Sequence, residues 1–375
     1  MELRASIPKL RPARTTSMIR PSREKSENRP DGLLWLDKNE NIDPIYIQHI
    51  QKMMVDIPPK ALFGYPDCYS LYKKLSEYLH TPINQLFLAA GSDGVIRAVY
   101  EAFVSPGDTV IYTEPTFAMY ALYAQMLGAN SVLLHYQPSD QGPVLSIDNV
   151  IHAIQTTQPK LICLPNPNSP SGTIFSPDEL RDIIIAAEKS DAIILIDEAY
   201  YPFYPETALP WINDYSHLII ARTFSKAWGC AGLRLGFSIA CKELTSDLHT
   251  LRPMYEAGAL SMMLGERLLD HADAMLASVQ RLNAGKKYFL AEMSQLGLRT
   301  FRSEGNFLHV AFDQHASAVH TGLADKALYR NDFAHASLAG YSRFTATIQE
   351  LYLPIVEQIK TIIQSANSIV HKEIL

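Results

Sequence analysis

The fold class follows from residues 160–198, KLICLPNPNSPSGTIFSPDELRDIIIAAEKSDAIILIDE. This stretch has the pattern of a strand, a helix and a second strand. Its apolar runs at 160–165 and 192–198 are too short for buried helices and suit strands that are covered on both faces. Between them, Ser176 can cap a helix whose first turn accepts Pro177. The stretch therefore predicts a βαβ unit with parallel strands.

The same alternation extends on both sides of this stretch. Helix-length segments lie between most of the short apolar runs, which occur at 108–113, 131–136, 217–222 and 235–240. Repeated βα units imply an α/β fold in which a mainly parallel central sheet is flanked by helices. We assign this large domain to residues 60–244.

The pattern of apolar residues changes after residue 245. Long helical patterns fill 243–296, shorter alternating pieces follow, and a final helix is predicted at 349–371. These features predict a smaller α+β domain made of residues 31–59 and 245–375.

Composition excludes several classes of function. The 375 residues are 47% hydrophobic and 19% charged, with a net charge of −6, which fits a soluble globular protein and gives no reason to expect nucleic acid as a partner. No apolar run could span a bilayer, and no secretory signal is present, so we expect a cytoplasmic protein without a membrane partner. The four cysteines form no CxxC pair, which fits a reducing compartment, and we predict no metal site.

Residues 1–30 are basic and contain prolines, which predicts a flexible N-terminal arm. An arm that crosses to a partner subunit is a second interpretation. An organellar transit peptide is a third, and Glu2, Glu24 and Glu27 weaken it.

Polar residues follow three of the predicted strands. The turn 166–172 follows one strand, Asp197 ends the next, and Thr223, Ser225 and Lys226 follow a third. Since ligands of open α/β sheets gather at the carboxyl ends of the strands, these residues point to one site.

Lys226 is the residue of greatest interest in this group. A lone loop lysine is ordinarily a solvated charge. Here small and apolar residues surround it in ARTFSKAWGCAGLRLG (221–236), so its pKa should fall and its amine should become nucleophilic. Thr223, Ser225 and Arg234 could hold a phosphate, as could the helix start at GSDG (91–94), which alone is weak evidence.

Asp197 ends a strongly apolar strand, where an unpaired charge is costly. A protonated pyridine nitrogen would be a good partner for its carboxylate. The alternative is a carboxylate that caps the next helix.

These residues resemble a known family, the class I/II aminotransferases of fold type I, and most closely the histidinol-phosphate aminotransferase branch. The resemblance covers nearly the whole chain beyond residue 30. It is carried, in order, by LDKNEN (36–41), GYPD (64–67), GSDG (91–94), EPTFAMY (114–120), NPNSPSGT (166–173), IDEAY (196–200), TFSKAWGCAGLRLG (223–236), GNFLHV (305–310) and YSRFTAT (341–347). It implies pyridoxal 5'-phosphate (PLP) as cofactor.

The resemblance also implies a role for each matching residue. Lys226 would form the Schiff base and move the Cα proton, Asp197 would pair with the pyridine nitrogen, and Tyr200 would bind the ring hydroxyl. Phe117 would lie against the ring. The remaining cofactor contacts implied are Ser92, Asp93, Ser169, Thr223, Ser225, Arg234 and, from a neighbouring subunit of a homodimer, Tyr65.

The resemblance implies Asn41, Arg330 and Arg343 as substrate contacts, with Arg343 binding an acidic group and Arg330 a second anion. Three features depart from the family pattern. Ser169 replaces the usual asparagine and has a shorter reach, Gly94 replaces an acidic residue, and IDPIYI (42–47) lacks the usual Gly-Pro turn.

The implied reaction is amino-group transfer between a small-molecule donor, typically glutamate with 2-oxoglutarate as its oxo acid, and a phosphorylated or acidic substrate. A PLP-dependent decarboxylase or lyase of the threonine-phosphate decarboxylase type is the alternative enzyme. A non-enzymatic PLP-binding protein is a third reading, which the presence of Lys226 disfavours.

Overall fold

The structure, a computed structural model, describes residues 29–373, with side chains described through residue 365. The predicted N-terminal arm, 1–30, thus lies outside the described residues except for its last two. The strands are β1 (Leu34–Trp35), β2 (Leu86–Ala89), β3 (Thr109–Glu114), β4 (Asn130–His135), β5 (Leu161–Pro165), β6 (Ile193–Asp197), β7 (Leu218–Thr223), β8 (Gly236–Ala240), β9 (Arg299–Phe301), β10 (Phe307–Ala311), β11 (Ala327–Leu328) and β12 (Tyr341–Thr345).

An α-helix lies between each pair of consecutive strands from β2 to β6, whereas β6, β7 and β8 follow one another without an α-helix. The α-helices are α1 (Pro44–Val55), α2 (Lys60–Phe63), α3 (Cys68–Leu79), α4 (Gly91–Phe103), α5 (Met119–Leu127), α6 (Ile147–Thr157), α7 (Pro177–Glu188), α8 (Lys242–Thr250), α9 (Ala259–Asp270), α10 (Ala272–Gln295), α11 (Ala316–Leu323) and α12 (Gln349–Glu373). No helix within 29–373 is long and apolar enough to cross a membrane.

The central sheet has seven strands in the order β2-β8-β7-β6-β5-β3-β4. Only β8 runs antiparallel to its neighbours, β2 and β7, and the other pairs are parallel. The mainly parallel α/β sheet predicted from the alternating pattern is therefore confirmed. Burial on both faces explains the continuous apolar runs of β5, β6 and β7, whose residues are all buried.

The helix at the centre of the deciding stretch begins where its capping signals predict. The Ser176 hydroxyl accepts from the Glu179 backbone N–H, and the Glu179 carboxylate accepts from the Ser176 N–H at 2.8 Å. This reciprocal capping box satisfies two donors at the start of α7.

A second core lies around the antiparallel sheet β12-β10-β9. The short parallel pair β1–β11 joins the N-terminal segment to this unit. Leu36, Phe289, Phe344 and Tyr352 are fully buried in its core. These pieces agree with an α+β arrangement.

The predicted domain boundary does not follow the packing throughout. Helices α1 and α9, which it places in the smaller domain, contribute Tyr46, Ile50 and Met262 to the main core. Helix α9 packs against α2 and α3, and α1 packs against α9 and α10. The boundary at residue 244 stays a prediction about the remaining segments.

A close backbone approach places the start of α4 against the sheet. A Cβ atom built on Gly236 would lie 2.4 Å from the carbonyl carbon of Gly91 and 2.5 Å from the nitrogen of Ser92. Gly236 is paired on both sides, with Ala89 of β2 and Thr223 of β7, so it has no freedom to move away. Only glycine at this position lets the first turn of α4 rest on β8.

We therefore predict that Gly236→Ala lowers the free energy of unfolding by about 1–3 kcal/mol, the usual cost of overpacking. Thermal or urea unfolding of the apoprotein measures this effect. Gly258→Ala is the matched control, because its added methyl group meets nothing within 4 Å. Equal stabilities of the two variants would contradict the assigned contact.

Candidate active site

Asp197 occupies the carboxyl end of β6, in the middle of the sheet. It is 5% exposed, accepts from the Tyr120 hydroxyl at 2.8 Å and accepts from the Ala199 backbone N–H at 3.0 Å. Burial raises the pKa of this carboxyl to about 6, even though both hydrogen bonds act in the opposite direction. Within the described residues no cation forms a salt bridge with it. The Asp197 carboxylate could therefore bind a positively charged group of a ligand.

Its neighbour Glu198 has a different role. The Glu198 carboxylate, 2% exposed, accepts from Arg222 at 2.8 Å, from the Thr207 hydroxyl and from the Ala208 backbone N–H. Its hydrogen-bonding capacity is thus used within the fold, and this ion pair supports the structure beside the site.

Lys226 follows β7 and points toward the segment 37–41. Its Nζ donates to the backbone carbonyl of Lys38 at 2.8 Å and lies 5.8 Å from the centre of the Tyr200 ring. Burial lowers the pKa of the amine, and the positive charges of Arg343 and Arg234 lower it further. A larger fraction of the amine is consequently unprotonated and nucleophilic near neutral pH.

Tyr200 is held by Asn39, whose side-chain amide donates to the tyrosine hydroxyl at 2.9 Å. Asn39 has φ 59°, a left-handed conformation that asparagine tolerates better than most residues. Its backbone N–H donates to Thr345, and its carbonyl accepts from Asn306. The segment 37–41 thus fixes Tyr200 relative to β12 and to the turn before β10.

The first turn of α4 and the residues around Arg234 form a candidate anion cradle. No side chain caps the start of α4, so its first N–H groups point toward this region. The guanidinium of Arg234 donates to the Ala90 carbonyl at 3.3 Å and lies beside Gly91, where an added Cβ would be 2.7 Å away. Thr223 and Ser225 bind each other through their hydroxyls at 2.9 Å.

Other predicted cofactor contacts surround these groups. Ser92 and Asp93 lie in the first turn of α4, and Asp93 accepts from the Tyr123 hydroxyl at 2.9 Å. Phe117, which is 42% exposed, packs edge-on against Tyr120 at 6.2 Å. Ser169 lies half-buried in the turn after β5.

Arg343 of β12 is buried without a carboxylate partner among the described residues. Its Nη2 donates to the Asp37 backbone carbonyl at 2.7 Å, and its buried Nε has no hydrogen-bond acceptor. The Phe307 and Phe333 rings lie 5.2 and 5.8 Å from the guanidinium carbon. Burial lowers its pKa, yet a guanidinium remains protonated, so the site holds an uncompensated positive charge.

Arg330 lies beside Arg343 along the backbone, because the two residues exchange both backbone hydrogen bonds. Its side chain is exposed and pairs with Asp332 at 2.9 Å. An anion bound by Arg330 would therefore compete with that carboxylate, and its substrate contact stays a prediction.

Two predicted residues lie outside this group of side chains. Asn41 is 4% exposed, and its amide donates to the Ala227 carbonyl and the Ser278 hydroxyl, both at 3.0 Å. This geometry makes it a support for the backbone after Lys226, and its contact with substrate stays a prediction. Tyr65 is 84% exposed and stacks on Tyr255 at 4.6 Å.

Sequence reasoning did not assign the roles of Asn39 and Tyr120. Both lie in motifs that carry the resemblance, LDKNEN and EPTFAMY. No local pattern pairs Tyr120 with Asp197, which is 77 residues away, since only the folded sheet brings α5 over the end of β6.

Comparison with known proteins agrees with this geometry. The family model for aminotransferase class I and II matches residues 32–353. A histidinol-phosphate aminotransferase from Thermoanaerobacter sp. (strain X514) is 30% identical over 316 residues, which cover 83% of this chain and 88% of that protein. One from Caldanaerobacter subterraneus subsp. tengcongensis is 31% identical over 287 residues, 76% of this chain and 80% of that protein.

Solved structures share the fold. A histidinol-phosphate aminotransferase from Sinorhizobium meliloti, solved with pyridoxal 5'-phosphate, has a TM-score of 0.79 and 19% identity, covering 96% of this chain and all of that one. The enzyme from Clostridium acetobutylicum has a TM-score of 0.77 and 20% identity, covering 89% of this chain and all of that one. Together with the match to the family model, these similarities show that the chain belongs to the class I and II aminotransferase family and is a PLP-dependent transaminase.

Proposed function

We propose that this enzyme moves an amino group between an amino-acid donor, glutamate with 2-oxoglutarate as its oxo acid, and a phosphorylated or otherwise acidic substrate of the histidinol phosphate kind. The buried, unpaired guanidinium of Arg343 carries this proposal. A buried charge without a counter-ion is costly, and an anionic group of the substrate would compensate it. The names of the curated relatives support the same substrate class.

PLP fits the residues around Lys226. Asp197 offers a buried carboxylate for the ring nitrogen, and Tyr200 offers a hydroxyl for the ring oxygen. The phosphate would be held at the start of α4 and by Arg234, whose guanidinium lies beside Gly91. When bound, PLP supplies an electron sink for negative charge at the substrate Cα.

Side chains and backbone groups of the protein move the proton and position the substrate. The Lys226 amine, whose pKa burial lowers, takes and returns the proton at the substrate Cα. The Lys38 carbonyl accepts from this amine and holds it beside the Tyr200 ring. Arg343 fixes the acidic end of the substrate, which orients the Cα–H bond toward Lys226.

We also propose a homodimer. Tyr65 is close in the chain or through Tyr255 to several exposed apolar side chains, the group Val55, Leu62, Phe63, Tyr69 and Met254, which are 65–82% exposed. Such a cluster is costly in water and is typical of a protein interface. A second subunit would cover it and bring its own Tyr65 near the neighbouring phosphate.

Lys226→Ala tests the covalent attachment. We expect the variant to bind PLP without a covalent link and to lose turnover, because the substitution removes the amine that would form the link and move the proton. Borohydride reduction followed by peptide mass spectrometry should mark Lys226 in the wild type and no peptide in the variant. Lys189→Ala, which removes a lysine at the end of α7, is the control and should behave as the wild type. Unchanged turnover in Lys226→Ala would refute the assignment.

Arg343→Ala tests the substrate class. Loss of a charged hydrogen bond, about 1.5–3 kcal/mol, should raise KM for histidinol phosphate or glutamate roughly 10- to 150-fold. Steady-state assays with 2-oxoglutarate would measure this change, with histidinol, which lacks the phosphate, as the comparison. Arg343→Lys should recover part of the loss, since it restores the charge without the planar fork.

Arg299→Ala is the matched control, because the contacts described for this exposed arginine are its ion pair with Asp313 and the ring of Tyr341. Equal KM values for histidinol and histidinol phosphate in the wild type would contradict the proposed substrate. Release of carbon dioxide without amino transfer would support the decarboxylase alternative instead.

Asp197→Asn tests the buried carboxyl through stability. Because burial raises its pKa to about 6, the stability linked to its proton is present below about pH 4 and is lost as the pH rises through 6. The apoprotein of the variant should therefore be more stable than wild-type apoprotein at pH 8, by up to about 3 kcal/mol. This advantage should shrink toward pH 4.

Thermal unfolding at pH 8 and at pH 5, with and without PLP, measures both effects. PLP should reverse the order at pH 8, because the wild type gains a cationic partner for Asp197 and the variant does not. A variant apoprotein less stable than the wild type at pH 8 would show that Asp197 is not strained by burial.

A further inference from the structure

Three possible metal ligands meet at the carboxyl edge of the central sheet, outside the group around Lys226. Glu114 is the last residue of β3, and His135 is the last residue of β4. The two are direct partners in the parallel register. His335, from the loop between β11 and β12, approaches them so that one ligand atom of each residue lies within 4.8 Å of the others.

The contacts within this cluster hold its side chains in place. The Glu114 carboxylate lies 3.1 Å from Nδ1 of His135. The His135 and His335 rings are nearly parallel, with 9° between their planes and 6.2 Å between their centres. Glu114 and His335 are partly buried, and His135 is exposed. An ion from solvent could thus reach the cluster.

His335 has a partner that can select the tautomer suited to metal binding. Its Nδ1 accepts from the Ser337 backbone N–H at 3.2 Å and lies 2.8 Å from the hydroxyl of Ser337, which is buried. Metal binding through Nε2 would move the proton to Nδ1, which could then donate to this hydroxyl and leave Nε2 with a lone pair for the ion. In metal-binding histidines, the nitrogen that does not bind the metal commonly donates a hydrogen bond to a neighbouring group.

We propose that Glu114, His135 and His335 form a binding site for a divalent transition-metal ion such as Zn²⁺. Two imidazoles and one carboxylate are a common ligand set for this ion, and water would complete the coordination. The residues lie 21 and 200 positions apart in the chain, so no spacing motif could have revealed them.

The proposed site would join two parts of the fold. Glu114 and His135 belong to the central sheet, whereas His335 lies in the loop that begins after β11 and contains Arg330. A bound ion would therefore tether this loop to the sheet edge. Among the described residues, none of the three ligands forms a hydrogen bond or ion pair with Lys226 or Asp197, so the site is separate from the amino-transfer chemistry.

Calorimetric titration of ZnCl₂ into EDTA-treated, tag-free holoenzyme in a buffer without phosphate tests the proposal. We expect one equivalent to bind and to raise the unfolding temperature, with reversal by EDTA. His335→Ala, His135→Ala and Glu114→Gln should each weaken this binding at least about tenfold. His152→Ala removes an exposed histidine of α6 and is the matched control, with binding expected to be unchanged.

X-ray absorption at the zinc edge adds a readout that does not depend on the variants, with nitrogen and oxygen ligands expected in the wild type. The PLP absorbance of each variant confirms that it is folded. Absence of zinc binding in the wild type would overturn the proposal. So would binding of equal strength in the wild type and all three ligand variants, because the ion would then occupy another site.

Discussion

The hydrogen bonds of the segment 37–41 are the constraint on which the site depends. Four of its residues bind parts of the fold that are far apart in the chain: the Asp37 carbonyl accepts from Arg343, the Lys38 carbonyl accepts from Lys226, Asn39 donates to Tyr200, and Asn41 donates to the backbone after Lys226. Because backbone carbonyls and amides have fixed directions, this segment sets the distance between the amine and the guanidinium. It connects the central sheet to β12 without forming a strand itself.

Within the described residues, the site also holds charged groups that form no ion pair. Glu198 and Arg222 show the ordinary solution, a buried pair with every strong acceptor used. Asp197, Lys226 and Arg343 do not pair with one another, and burial shifts the pKa of each toward its neutral form. Their desolvation weakens the protein before ligands bind. The cofactor and an acidic substrate would supply the opposite charges. The groups whose burial destabilises the free protein would therefore contribute to the affinity for these ligands.

Much of the fold and part of the site could be predicted from the sequence. Strands β5 and β6 and helix α7 were predicted within a few residues, because short apolar runs and a capping box are local signals. The placement of Lys226 after β7 followed from the same pattern. The assignment of α1 and α9 to the smaller domain stays a prediction. Both helices contribute side chains to the main core, and an amphipathic pattern shows that a helix has a buried face but not which core covers it.

The sequence by itself determined the alternation of strands and helices, the family, and the residue types that meet at the strand ends, since each of these is written in local periodicity or in contiguous motifs. The sequence does not show which of those charged side chains lack an ion pair, because that depends on the tertiary structure. Tyr120 reaches Asp197, Asn39 reaches Tyr200, and Arg343 is enclosed by aromatic rings. Hydrogen bonding and desolvation depend on neighbours in space, and the first two of these pairs are separated by 77 and 161 residues along the chain.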